Sequence, residues 1–424
     1  MEELTDDKKL LELEEKEQYN SYQEELGFAK ELNILRNDFY YQMDGDVDSF
    51  LLIDFLYSPL DTLSGDAYTS RKLDEYRTFY LVVDGMGKGL SASLTSMIMT
   101  SFTNHIIDKM IQHDHFDLYL LVHETLHYIK KILLEEEALS IDYIVIDREL
   151  NDINYAKFSM PPLLMQTKEG EVIRLRSNNP PMSKYQDDFK VSSYDIQNIE
   201  KFLFYSDGIV ENTTICEGMP YSDFIEEDFR TSFTKREFID KMYQKMSDQE
   251  DDYTLTFINR LDFDRDSCIA RKEFDSSLAE VEVANEWYSE VWTGLSENVK
   301  VAYRAGVVFT ELYMNAYEHG NLGIDSSTKH KLIEEDTYLD ALLETEKGNS
   351  KKIIVTLDKV THSSSTYIVT KITDEGKGFD TQILSEIFRN SKSFNGRGVF
   401  VSRKNSMGIY YNVKGNTVLF LSKI

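Results

Sequence analysis

Four short motifs upstream of residue 255 each set an aspartate at the edge of an apolar, strand-like run: Ser64-Gly65-Asp66, Asp84-Gly85, Ser206-Asp207-Gly208 and Asp251-Asp252-Tyr253-Thr254. Carboxylate-only donors suit hard divalent cations such as Mg²⁺ or Mn²⁺, which take oxygen ligands and keep several waters. Two such ions about 3.5 to 4 Å apart bridge a water, lower its pKa and present hydroxide to a phosphorus atom. One Asp-Gly after a strand is most often a turn; the recurrence and order of the four point to a binuclear metal site. A second set lies downstream. Glu311, Asn315 and His319 fall at i, i+4 and i+8 and would share one face of a helix, which by itself is a wet stripe on an amphipathic helix. Asp374-Glu375-Gly376-Lys377-Gly378-Phe379 follows an apolar strand, where an acid can accept from an adenine amino group and glycines let backbone approach a nucleotide. Asn395-Gly396-Arg397-Gly398 offers a second phosphate-facing turn, and the Gly-Lys-Ser/Thr of a Walker loop is absent.

These residues need a scaffold. Phe79 to Val83 reads as a strand running into Asp84, and Leu90 to Ile111 as a helix with Leu90, Leu94 and Ile98 at four-residue spacing. Further strands are expected at Ile141 to Ile146, Ile153 to Phe158, Leu163 to Gln166, Lys201 to Tyr205 and Tyr253 to Ile258, which predicts a sandwich with helices on its outer faces. Helical pattern then covers Leu278 to His319 and Leu332 to Leu343, followed by strands at Ile353 to Leu357 and Tyr367 to Thr373. Helices on one side of a mixed sheet would make an α/β sandwich. The charged stretch from Asp262 to Glu273 lacks apolar periodicity and marks the boundary. Lys8 to Phe39 reads as a helix with Phe28, Leu32, Leu35 and Phe39 on one face, either packing on its own domain or forming a dimerising or signal-carrying coiled coil. The expected class is α+β: a helical linker over 1–42, a first domain over 43–262 and a second over 270–424. The polar segment from Gly323 to Lys352 is a lid or a surface excursion.

Composition narrows the partners. The 424 residues suggest two or three domains, and the net charge of −29, from 75 acidic against 46 basic residues, argues against nucleic acid, whose phosphates need a basic footprint. The two cysteines, Cys216 and Cys268, show no ligand or redox spacing. No signal-peptide pattern and no membrane-spanning apolar run is present, so a cytoplasmic location is expected. His105, His113, His115, His123 and His127 crowd one stretch, but scattered surface or core histidines account for them.

The order Asp66, Asp84-Gly85, Asp207-Gly208, Asp251-Asp252-x-Thr254, with Gly87-Lys88-Gly89, Ser91-Ala92 and Pro161-Pro162, resembles the metal-dependent type 2C (PPM) protein phosphatases. Within them it is similar to the SpoIIE-type and RsbU-type bacterial serine phosphatases, over about Tyr57 to Arg260. The resemblance implies a β-sandwich flanked by helices and two Mn²⁺ or Mg²⁺ ions. Asp84 would bridge both, the Gly85 carbonyl would hold one, and Asp207 and Asp251 would complete the pair. Asp66 would act through a metal or a nearby water, and Asp252 would be a solvent-facing or capping carboxylate. Met86 stands where eukaryotic relatives carry a histidine assigned as general acid, which leaves water to protonate the leaving group.

Glu311, Asn315 and His319-Gly320, with Asp374, Gly376, Gly378 and Gly396-Arg397-Gly398, resemble the GHKL (histidine-kinase-type) ATPase fold, particularly anti-sigma-factor serine kinases of the RsbW and SpoIIAB type, over about Leu278 to Ile424. That implies ATP with Mg²⁺, Glu311 as general base toward a substrate hydroxyl, Asn315 on the Mg²⁺ and Asp374 on adenine, under a lid thinner in glycine than the family's. The two resemblances together imply a bifunctional partner-switching regulator. It would dephosphorylate phosphoserine or phosphothreonine on a STAS-domain anti-sigma-factor antagonist, with a C-terminal kinase or anti-sigma-like domain on the same circuit. A sigma factor and a second copy joined through the N-terminal helix are further expected partners. Two other readings stay open: a phosphatase regulated by an ATPase-like module, and a non-catalytic scaffold.

Overall fold

The computed structural model describes residues 34–39, 42–45, 49–61, 63–87, 89–216, 219–263, 266–381 and 402–424. Three antiparallel sheets organise them. The first runs, in spatial order, β1 (Met43–Gly45), β2 (Ser49–Ser58), β12 (Tyr253–Asp262), β11 (Ile199–Tyr205), β7 (Leu163–Thr167) and β8 (Val172–Leu175). The second runs β10 (Ser192–Asp195), β6 (Asp152–Phe158), β5 (Ala138–Asp147), β4 (Arg77–Gly85) and β3 (Asp66–Lys72), with β9 (Met182–Ser183) beside β5. The third is β13 (Cys268–Asp275), β14 (Lys352–His362), β15 (Ser365–Asp374), β17 (Thr417–Lys423) and β16 (Gly408–Tyr411).

The first two sheets face each other, and strand periodicity decides what lies between them. On β4, Tyr80 and Val82 point into the inter-sheet core with Ile144, Phe202, Phe204 and Ile258, while Phe79, Leu81 and Val83 point outward under helices. Both faces of β4 are therefore buried, which is why its sequence is a continuous apolar run. The outer helices are α1 (Leu90–Gln112) and α2 (Leu118–Ile129), the latter capped by Asp117, whose carboxylate accepts from Leu120 N. α3 (Asp207–Glu211), a 3₁₀ turn (Tyr221–Asp223), α4 (Ile225–Thr231) and α5 (Lys235–Lys245) cover the first sheet, burying Phe229, Phe238 and Met242 on Leu203, Leu255 and Phe257. α6 (Leu278–Leu295) and α7 (Val299–Asn315) cover the third sheet through Tyr288, Trp292, Phe309 and Leu312.

Several expectations are corrected. The leucine spacing that marks α1 as a helix lies on its solvent side: Leu90 and Leu94 are exposed, and the face on β3 and β4 is built from Ala92, Ser93, Thr95, Ser96, Met99, Thr100 and Thr103. Small side chains let the helix approach the sheet closely. Hydroxyls there bond back into the helix, as Thr95 Oγ1 does to Ser91 O and Thr103 Oγ1 to Met99 O. Helix does not continue to Phe39. Ser70 N donates to Arg36 O and Asp38 N to Ser70 O, so this segment pairs along β3, with Leu35 and Phe39 buried in the two cores. Asn37 Oδ1 accepts from Phe39 N, a side-chain turn that competes with helix, and Asp38 Oδ2 accepts from Lys72 N at the end of β3. The rest of that helical reading, including Phe28, Leu32 and the proposed dimer face, lies outside the described residues. The third sheet is not mixed as expected: among the described residues its ladders are antiparallel, so this half too is α+β. Part of the expected boundary stretch is strand β13, an exposed edge whose lack of apolar periodicity follows from having little to bury. The Gly323 to Lys352 segment holds α8 (Ser326–Glu334) and α9 (Tyr338–Thr345), anchored by buried Leu342.

Candidate metal and nucleotide sites

Strand pairing builds the first site. Asp66 and Asp84 are direct cross-strand partners at the ends of β3 and β4, and Gly85 N donates to Gly65 O at 3.1 Å. Asp207 opens α3 just after β11 ends at Tyr205, and Asp251 precedes β12, which pairs with β11 from Tyr253. The two sheets therefore carry the four aspartates to one end of the sandwich.

The close approach is enforced by missing side chains. A Cβ on Gly85 would lie 2.8 Å from Ala92 O, and one on Gly208 would lie 2.3 Å from Asp252 O and 3.0 Å from Asp251 Cβ. The α1 start and the Asp251-Asp252 turn thus close directly on the loops that carry Asp84 and Asp207. Ser96 Oγ, fully buried, donates to Gly65 O at 2.6 Å and fixes the loop before Asp66.

Burial and like charge dominate the electrostatics. Asp66 is held well above the ordinary carboxylate range, first by burial. The hydroxyls of Ser206 and Thr254 face it and offset part of this, and Asp252 and Asp207 add to it. Its Oδ2 remains buried without a hydrogen-bond partner. Asp84 is pushed up to about 10, by burial and then by Asp66 and Asp207, with whose carboxyl it is in hydrogen-bonding contact. The groups acting most strongly on both are carboxylates and hydroxyls, not lysine or arginine. Such a cluster requires protons or cations to hold together, and its all-oxygen donors with an orphaned buried oxygen fit Mg²⁺ or Mn²⁺.

Asp252 has a different occupation. Its Oδ1 accepts from Leu60 N at 2.7 Å and its Oδ2 from Gly65 N at 2.6 Å, so both oxygens brace the loop that leads to Asp66. Asp251 Oδ1 in turn accepts from Asp252 N at 2.8 Å.

In the second half, Asp374 ends β15 and is nearly buried, its Oδ1 accepting from Gly376 N at 2.8 Å. Burial raises it to about 6, against the pull of that amide and of Lys351 and Lys414. A Cβ on Gly320 would fall 2.5 Å from Asp374 Cγ, and one on Gly376 would fall 2.2 Å from Gly320 O, so these glycines permit the approach. Gly378 has φ +76° and packs on Lys414 O, a place only glycine fills without strain.

The helix carrying Glu311 and Asn315 does not run on to His319. After Asn315 the backbone widens into a π turn over Ala316–Asn321, and wider turns rotate the later side chains off the α-helical row. Glu311 and Asn315 remain on one half-buried face, whereas His319 Nδ1 contacts Ile324 O and Gly320 is the residue against Asp374. Gly396, Arg397 and Gly398 lie outside the described residues.

Two residues central to this half escaped sequence reasoning. Asn321 Nδ2 donates to Ser276 Oγ and Lys352 O while its Oδ1 accepts from Glu375 N, tying the π turn to both flanking strands. Buried Glu318 accepts from Lys329 and Tyr338 and holds α8 and α9 in place. Neither belongs to a periodic pattern that could have flagged it.

Residues 74–261 match the family model described as Stage II sporulation protein E (SpoIIE). Phosphoserine phosphatase RsbP of Bacillus subtilis (strain 168) is 28% identical over 181 residues, which cover 40% of this chain and 42% of RsbP. The chain thus matches less than half the length of that curated relative. Among solved structures, the RsbU and RsbW domains of a Mycobacterium tuberculosis protein align over 89% of this chain and 92% of that one, with 13% identity and a TM-score of 0.44. RsbX in complex with magnesium aligns over 52% of this chain and 98% of its own, with 14% identity and a TM-score of 0.40. The stretch that holds Asp84, Asp207 and Asp251 is a SpoIIE-family domain, with Asp66 supplied by the strand just before it.

Proposed function

We propose that the chain is a partner-switching regulator whose SpoIIE-family domain hydrolyses phosphoserine or phosphothreonine on a STAS-domain anti-sigma-factor antagonist, using two Mn²⁺ or Mg²⁺ ions. The observation that carries this reading is the meeting of buried Asp66 with Asp84 and Asp207, with no basic group among the strongest influences on Asp66 and Asp84. Asp84 would be the shared ligand, with the Gly85 carbonyl, Asp207 and Asp251 around it and Asp66 acting directly or through water. The ions would supply an activated water and neutralise charge on the phosphoryl oxygens. Asp252 positions rather than binds, because both its oxygens hold backbone amides. Met86 is exposed and carries no proton to give, so the leaving alkoxide takes its proton from solvent. The phosphoserine phosphatase name of the RsbP relative supports the substrate class.

The C-terminal half would bind ATP with Mg²⁺ through Asn315, Asp374, Gly376 and Gly378, with Glu311 taking the proton from a substrate hydroxyl. Its support is narrower: Glu311 and Asn315 on one face of α7, and a buried carboxylate framed by Gly320 and Gly376. It would act on the same circuit, returning phosphate to the antagonist or holding a sigma factor.

One experiment tests both arms. A STAS-domain protein is supplied phosphorylated with Mn²⁺, and unphosphorylated with Mg²⁺ and ATP. Asp84→Asn should lower phosphate release by more than about a hundredfold, ligand loss exceeding the usual cost of losing an outer-shell partner. Glu311→Gln should abolish phosphate gain while ATP still binds. Equal release by wild type and Asp84→Asn would remove the phosphatase reading. No gain with wild type would leave the second half as a nucleotide-binding regulator.

A further inference from the structure

The rim of the aspartate cluster is apolar on one side. Met86 is 66% exposed, Leu90 71%, Leu94 58% and Leu134 64%. Leu90 and Leu94 stand one helical turn apart on the solvent side of α1, so they are neighbours. Two bonds tie this helix start and the glycine loop before it to the turn that carries Leu134. Ser91 Oγ donates to Glu137 Oε1 at 2.9 Å, and Met86 N donates to Ala138 O at 3.2 Å. Met86, Gly87, Leu134 and Glu135 to Glu137 line an open hollow. That hollow adjoins the metal site, since a Cβ on Gly65 would lie 3.6 Å from Gly87 O and 3.4 Å from Asp252 Oδ2.

A soluble domain gains roughly 1.5 to 3 kcal/mol from burying one large aliphatic side chain. Several left out together mark a contact surface rather than scattered exposure. Their position says what kind. Met86 is two residues from Asp84, so a body seated on the rim would present its own neighbouring residues to the aspartates. Hydrolysis by fixed groups gains most from such orientation. Glu135 and Glu136, both exposed, border the hollow and complement lysine or arginine on the incoming surface.

Resting on the phosphatase reading above, we propose that Met86, Leu90, Leu94 and Leu134 form the docking surface for the folded phosphoprotein substrate. That substrate presents an apolar patch edged with basic side chains beside its phosphoserine. Recognition then lies outside the metal site, in contacts that a small phosphate ester does not make.

The test compares p-nitrophenyl phosphate with a serine-phosphorylated STAS-domain protein, both with Mn²⁺, for wild type, Leu90→Glu/Leu134→Glu and Glu135→Lys/Glu136→Lys. All four positions are exposed, and thermal melting checks that the variants fold. In the leucine variant KM for the protein should rise at least about tenfold, the scale of a lost interface anchor, with kcat for p-nitrophenyl phosphate unchanged. In the glutamate variant the rise should be smaller and should shrink with added salt. An unchanged KM for the protein, or equal losses on both substrates, would overturn the docking surface while the phosphatase reading stands. A wild type inert toward both substrates would overturn that reading and the docking surface with it. A leucine variant that turns a dimer into a monomer in sedimentation without moving KM would assign the rim to a second copy and overturn the proposal.

Discussion

At Asp374 burial and the proposed role pull in opposite directions. Burial lifts its carboxyl to about 6 from an ordinary 3.8, so at neutral pH the folded chain holds a charge that would be better solvated unfolded. The sign follows from linkage: stability from this group is full below about pH 3.8 and is lost as pH rises through 6. Asp374→Asn should therefore stabilise the protein at pH 7.5, by on the order of 1–2 kcal/mol once partial solvent access is allowed for. It keeps the acceptor for Gly376 N but turns the other oxygen into an amino group, which opposes an adenine amino group donor to donor. ATP binding should fall in the variant at pH 7.5, and in wild type as pH drops below about 6. Urea unfolding beside nucleotide titration checks the pair, and an asparagine variant that binds ATP as wild type does would remove Asp374 from the nucleotide site.

The helices and turns show how little slack surrounds the metal site. α3 begins on Asp207 and its second residue, Gly208, lies against the Asp251-Asp252 turn, where a Cβ would come within 2.3 Å of Asp252 O. Gly208→Ala should push Asp207 away from Asp84, lowering Mn²⁺-dependent activity well over tenfold for an overpacking cost of about 1–3 kcal/mol. Gly87→Ala makes the comparison: nothing lies within 4 Å of its Cβ, and its φ of +87° adds strain of about 1 kcal/mol without moving an aspartate. Comparable activity in the two variants would show that the close approach at Gly208 is not what holds the site.

The same elements explain what could be read in advance. Asp84 and Asp207 were legible because each borders a strand with a continuous apolar run, and Asp251 because it precedes one rich in aromatic and β-branched residues, so a chain-order pattern became a spatial one. The buried face of α1 was not, because serine, threonine and alanine at a sheet surface look like a polar face in sequence. The π turn after Asn315 was not either, since it leaves the residue types of an ordinary helix intact and changes only their phase.

At the scale of the whole molecule, the excursion that joins Asp207 to Asp251 is held by the third sheet. Glu237 in α5 accepts from Tyr367 Oη at 2.7 Å and from Lys423 Nζ at 2.6 Å, both from that sheet. Arg236 donates to Lys404 O and Ser406 O, and His362 on β14 reaches Arg230 O at the end of α4. Lys201 Nζ caps the Phe229 and Ser232 carbonyls from below, 3.5 Å from His362 Nε2. Around these, Phe50, Leu52, Phe233 and Leu261 pack on Tyr367, Val369, Leu419 and Leu421. The contacts to the third sheet were not visible in sequence, because their partners are separated by more than a hundred residues and belong to different periodic patterns.

Three polar groups in this interface share one sign of pH dependence, and Glu200, 3.7 Å from His362 and pushed up by burial, opposes them. Burial works against the Glu237 charge, but Lys423 and Tyr367 outweigh it and hold its pKa below the ordinary 4.5. Its stabilisation is present above that value and is lost as pH falls through the depressed one. Burial pushes His362 down to about 4 from 6.5, aided by Lys201, and Lys201 itself down to about 7 from 10.5. Each of these two binds its proton more weakly in the folded chain, so each adds stability as pH rises, between about 4 and 6.5 and between about 7 and 10.5. All three therefore make acid loosen the joint. Glu237→Ala should cost about 3 kcal/mol at pH 7.5, since it leaves Tyr367, Lys423 and two backbone amides without their acceptor. Lys201→Met should flatten the rise above pH 7 while the rise between 4 and 6.5 persists. Thermal melts from pH 4 to 9 on both variants read these out. A Lys201→Met protein whose stability still climbs between pH 7 and 9 as wild type's does would mean that Lys201 keeps its proton in the interface, held by the two carbonyls it caps.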